Sequence, residues 1–153
     1  MRKLILLALI TIVFSAKQTF AQSGYQTALG LNIDFGTGST LVGPSIKHFI
    51  TDRDVVAGDL LFGADATWVG GFYQYHQSFK ELKELKWYVG IGPQFAFYDG
   101  GSSIYLRPMV GLDYKFITAP FSLTFDWRPM FRLNHGSDVE PARFGLGFRY
   151  TFK

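Results

Sequence analysis

Residues 121–133 read FSLTFDWRPMFRL. The odd positions Phe121, Leu123, Phe125, Trp127, Pro129, Phe131 and Leu133 are all apolar, while the even ones are Ser122, Thr124, Asp126, Arg128, Met130 and Arg132. A strand sends successive side chains to opposite faces, so one side of this segment is hydrocarbon and the other carries an acid and two arginines. Which of the two faces is inside decides what the chain folds into.

The same alternation recurs seven more times, separated by turn residues. The segments are TALGLNIDFG, VGPSIKHFI, VVAGDLLF, WVGGFYQYHQSF, WYVGIGPQFAFY, YLRPMVGLDYKF and ARFGLGFRYTF. TGST, TDRD, GADA, a charged KELKELK stretch read as a solvated turn, and DGGSS lie between them. The pattern predicts eight antiparallel strands in up-and-down order. Their lengths suit the ~9–11 residues that a tilted strand needs to cross a bilayer. The tripeptide Arg-Pro-Met occurs twice, at 107–109 and 128–130, which suggests hairpin repetition.

The N-terminus is organised differently. Arg2 and Lys3 precede an apolar run from Leu4 to Phe14, and Thr19-Phe20-Ala21 closes the segment. This layout predicts a signal peptide over residues 1–21, leaving 22–153 as one β-barrel domain. The segment also carries Arg2, Lys3 and Lys17, which account for the formal charge of +3. The remainder is neutral, so no nucleic-acid partner is expected, since a phosphate backbone requires a clustered positive surface. The chain has no Cys, so no disulfide is available to brace an exported domain.

Charge placement orients the faces. The apolar faces of the eight segments hold no Asp, Glu, Lys or Arg, and His48 is their one readily protonated side chain. The opposite face holds Asp34, Asp59, Asp113 and Asp126 with Lys47, Arg107, Lys115, Arg128, Arg132, Arg143 and Arg149. It also holds Gly30, Gly90, Gly92, Gly111, Gly145 and Gly147, which make room where large charged side chains share a narrow lumen. The bulk of Phe, Tyr, Trp, Leu and Ile on the other face exceeds what an eight-stranded interior accommodates. Aromatics near strand ends, among them Trp68, Trp87, Phe116 and Phe152, sit where interfacial girdles form. The expected architecture is an eight-stranded antiparallel transmembrane β-barrel with its charges inside, and the alternative is a soluble lipocalin-like carrier with them outside.

These features resemble the small eight-stranded outer-membrane β-barrels of Gram-negative bacteria. The closing GLGFRYTF is similar to the C-terminal strand that the barrel-insertion machinery reads, although Lys153 here follows the terminal aromatic. The resemblance implies a monomer in the bacterial outer membrane, contacting its lipids, with both chain ends toward the periplasm. The surface connections TGSTL, GADA, DGGSS and NHGSDVEP are then short, which gives little support to an adhesin or receptor role. A charge enclosed without a partner is costly, so the lumen charges, with Gln74, His76, Tyr88 and Gln94, are expected to form one cross-strand network without an open pore.

Three constellations invite chemistry. His135-Gly136-Ser137 with Glu140 resembles the late His-x-Ser pair of outer-membrane lipid A deacylases, which implies a hydrolase using His135 and Ser137. Asn134, Gly136 and Asp138 mark a turn there, so a solvated loop is the expectation and no enzyme is assigned. Pro44, Pro93, Pro108 and Pro129 interrupt strands on the lipid face, where each lacks a ladder N–H; bulges are expected, with sideways entry of acyl chains as the functional alternative. His76 beside Gln74 offers no recognisable ligand spacing, so no metal or cofactor is expected.

Overall fold

A computed structural model describes residues 25–134, 136 and 138–152. The expected signal peptide at 1–21 and Lys153 lie outside the described residues. The strands are β1 (Thr27–Gly36), β2 (Leu41–Phe49), β3 (Asp54–Gly63), β4 (Ala66–Ser78), β5 (Leu85–Tyr98), β6 (Gly101–Lys115), β7 (Phe121–Trp127), β8 (Met130–Arg132), β9 (Val139–Glu140) and β10 (Arg143–Phe152). Each pairs antiparallel with its neighbour, and β1 pairs with β10 to close the sheet. β7 and β8 are one stave interrupted at Arg128-Pro129, and β9 and β10 are another, so the barrel has eight staves.

Local sequence explains the ends. Asp99-Gly100 turns β5 into β6 with Gly100 at φ 92°, and Ala64 and Asp65, both at φ 55°, form the two-residue turn from β3 to β4. Turns with left-handed central residues match the twist of the flanking strands. Curvature comes from inward-facing glycines. A Cβ on Gly30, Gly43 or Gly92 would lie 1.9–2.0 Å from a carbonyl of the adjacent strand, so only glycine lets the wall bend this tightly.

The polarity is that of an inside-out protein. Leu31, Trp127 and Phe148 are 56%, 45% and 49% exposed, whereas Arg107, Asp34 and Lys47 are at 0–1%. Alternation therefore holds as read, with apolar residues outside. Two segments differ from the sequence reading. Lys86, placed within a solvated turn, begins the inward row of β5 and is buried. Pro129, placed among lipid-facing residues, is buried as well. Its stave breaks there, and on one side it meets Pro108. On the other side Arg128 N–H bonds Arg143 O while Met130 pairs with Glu140, which leaves Pro141 and Ala142 bulged opposite Pro129.

Candidate functional site

The barrel interior is a polar column between two apolar plugs. At the end nearer the termini, Tyr25, Ala28, Phe49 and Val55 pack together. At the other end Leu41, Leu61, Trp68, Ala96, Tyr105 and Met130 do so, with the Trp68 and Tyr105 rings 5.3 Å apart. Phe72, Tyr88 and Met109 form a third cluster between them. Charged residues fill the intervening space because the alternation of each strand sends them inward, and apart from the Asp126–Arg128 pair within one stave their partners come from other strands or from the loops.

Near the termini, Asp113 of β6 is the hub. It accepts hydrogen bonds from Lys47 Nζ and from the Tyr25 hydroxyl, both at 2.7 Å, and His76 Nε2 lies 3.3 Å away. The His76 ring stacks on Tyr88 at 4.6 Å and meets Phe49 edge-on at 5.1 Å. Lys47 also lies over the Tyr88 ring, and Lys86 over Phe49, each at 4.6 Å. These aromatic faces stabilise ammonium groups that face little water.

In the middle, Asp126 and Arg128 of one stave form a bidentate pair at 2.5 and 2.7 Å, and the Tyr88 hydroxyl donates to the same carboxylate. Arg128 Nη1 reaches Asp59 at 3.5 Å. The Asn32 amide sits best with its oxygen toward Arg128 Nη1 and its nitrogen toward Leu146 O, each at 3.1 Å. Arg149 is held by hydroxyls, Ser45 Oγ at 2.8 Å and Thr124 Oγ1 at 2.9 Å. Farther from the termini, Asp34 bridges two arginines, Arg107 at 2.8 Å and Arg143 at 2.6 Å. Arg107 also donates to Gln94 Oε1 and to the backbone oxygen of Arg128 at 2.9 Å. Arg143 finishes the column by donating to Thr37 O and Ser39 O of the connection between β1 and β2 at 2.9 and 2.7 Å.

Among the described residues four buried carboxylates face six buried cations. The surplus falls on Lys86, over an aromatic ring, and on Arg149, between hydroxyls. Glycine supplies the room. A Cβ on Gly147 would lie 2.3 Å from Arg149 Nη1, and one on Gly145 would lie 2.5 Å from Arg128 Nε. Gly30 and Gly92, assigned the same role from sequence, serve backbone approach instead, at Phe148 O and Gly71 O.

The eleven charges singled out in the sequence divide into three groups. Asp34, Lys47, Asp59, Arg107, Asp113, Asp126, Arg128, Arg143 and Arg149 line the buried column. Lys115 is only partly buried, and its ammonium donates to Phe116 O and Ala119 O, tying the turn between β6 and β7. Arg132 lies at the opposite mouth, donating to the Tyr105 hydroxyl at 3.1 Å and facing exposed Asp138 at 3.4 Å. Both sit where a strand leaves the barrel, so side-chain parity still points inward but no lumen remains to enter. Sequence reasoning missed Tyr25 and Lys86 as lumen residues; Lys86 continues the inward alternation of its strand, and that parity was the available signal.

Of the candidate hydrolase residues, His135 and Ser137 lie outside the described residues, and Glu140 pairs with Met130 through the β8–β9 ladder. Among the described residues no three His, Asp or Glu side chains converge as metal ligands.

No protein-family model matches the sequence, and no curated protein does. The crystal structure of the N-terminal β-barrel domain of OprF from Pseudomonas aeruginosa is similar in fold, with a TM-score of 0.58 at 20% identity. The match covers 82% of this chain and 99% of that domain.

Proposed function

We propose that this chain is an integral outer-membrane β-barrel of the small eight-stranded class, a monomer whose side-chain-filled lumen serves envelope structure and conducts no ions. The observation that carries the reading is the inverted partition. Exposed Leu, Phe, Trp and Val cover the wall, while Arg107, Asp34 and Lys47 are enclosed. In water such an exterior is an aggregation surface; in a bilayer it is the matched solvent interface. A carrier of hydrophobic ligands needs an apolar cavity, and the inward face here is a ladder of ion pairs and hydrogen bonds between apolar plugs.

Outer-membrane lipids are the proposed surroundings, and the β10 sequence GLGFRYTF is the proposed signal to the barrel-insertion machinery. Cell fractionation with heat-dependent mobility on a denaturing gel tests the placement. An outer-membrane protein stays with that fraction and migrates at two positions, folded and boiled, whereas recovery in the periplasm as a water-soluble monomer would refute it. Planar-bilayer recordings of purified protein test the lumen, with no steady conductance expected.

A further inference from the structure

The two Arg-Pro-Met tripeptides are cross-strand partners. The register Val110↔Trp127 resumes as Leu106↔Phe131 and Tyr105↔Arg132, which sets Pro108 opposite Pro129, Arg107 opposite Met130 and Met109 opposite Arg128. In an antiparallel pair, narrow hydrogen-bonded positions alternate with wide ones. Phe116 N–H bonds Phe121 O, and Leu133 N–H bonds Ile104 O, across this same seam. By that parity Pro108 and Pro129 occupy a hydrogen-bonded position, where neither has an N–H to give. Two ladder bonds are therefore missing at one point, and the pairing between β6 and the β7–β8 stave lapses from 107 to 109.

A side chain spans the gap from within. The Arg107 guanidinium, on β6, donates to Arg128 O of the facing stave while also holding Asp34 and Gln94. Behind the seam lie Met109 and Met130, which belong to two separate apolar clusters and have flexible, unbranched side chains. We propose that the seam between β6 and β7–β8 is a lateral opening of the barrel wall, latched by Arg107, which parts locally toward the surrounding acyl chains when that guanidinium releases Arg128 O. The direction of opening rests on the membrane reading; the weakness of the seam does not.

Amide hydrogen exchange on the folded full-length chain in phospholipid nanodiscs tests this. The reporters are the N–H groups of Leu106, Val110, Trp127 and Phe131, which flank the gap, against Leu31, Ile33, Leu146 and Phe148 on the β1–β10 seam. The expected result is exchange at the first set about tenfold faster or more, as in a local opening. Arg107→Lys should speed the first set further and leave the second unchanged, and Pro108→Ala with Pro129→Ala, which restores both donors, should bring the sets together. Equal protection in the unmodified protein, or acceleration spread evenly around the barrel by Arg107→Lys, overturns the proposal. If Arg107→Lys does not fold, the unmodified protein and the double alanine variant still decide it. A chain that folds stably in water without lipid or detergent would defeat the membrane reading while leaving the exchange contrast to be judged separately.

Discussion

The seam that closes the barrel and the seam between its sixth and seventh staves are held by different means. β1 and β10 pair without interruption from Thr27↔Phe152 to Gly36↔Arg143, so the backbone alone makes that wall continuous. Between β6 and β7–β8 the ladder stops at the opposed prolines, and a guanidinium reaches across behind them. A backbone hydrogen bond is indifferent to side-chain identity, while a side-chain tie depends on every charge to which it is coupled. The first seam should therefore tolerate lumen substitutions that the second does not.

Asp34 couples the two regions, since it pairs with Arg107 behind one seam and with Arg143 beside the other. Asp34→Leu should have the largest effect, because it leaves two buried guanidiniums short of their carboxylate. Breaking a buried pair from one side costs about 3–5 kcal/mol. Denaturant unfolding in micelles, followed by tryptophan fluorescence, should show a markedly lower midpoint; an unchanged midpoint would mean that water reaches both arginines. The next largest concerns the outer face of the closing seam. Phe148→Arg places a charge in hydrocarbon, at about 2–4 kcal/mol near the bilayer midplane and less toward the interfaces. The same titration should show the loss in bilayers, and a neutral outcome there would contradict an outward lipid face.

The continuous seam was legible in the sequence and the interrupted one only in part. Period-two alternation specifies faces, so the placement of Arg149 inside and Phe148 outside followed from counting residues. The double Arg-Pro-Met was visible, but its meaning depends on the register between β6 and the β7–β8 stave, which pairing across the closed sheet sets and local pattern does not. Without register, Pro129 was an ordinary lipid-facing residue, and the bulge at Pro141-Ala142 that helps bury it gave no local signal. The pairing within the lumen was equally hidden. Charge type could be read, but whether Asp113 meets Lys47, 66 residues away, depends on the shear of the closed barrel. Lys115 and Arg132 show the limit of parity, which states direction and not where the strand leaves the lumen.

Smaller effects sharpen the contrast between the seams. Pro108→Ala with Pro129→Ala returns two ladder donors, each worth about 0.5–1.5 kcal/mol net. It also frees two residues in the unfolded chain, at about 0.4–1 kcal/mol each where proline had suited the fold. These terms nearly cancel, so the unfolding midpoint should shift little while exchange at Leu106 and Phe131 slows. A large shift in midpoint would show that the strand prolines act on global stability and not on one seam. Smaller still is Arg132→Ala at the mouth, which removes a solvent-screened ion pair with Asp138 at 3.4 Å. No resolvable change in unfolding is expected, because the seam beneath it is held by Arg107; sensitivity as great as that of Asp34→Leu would mean that the latch extends to the mouth and that the gap at 107–109 does not act alone.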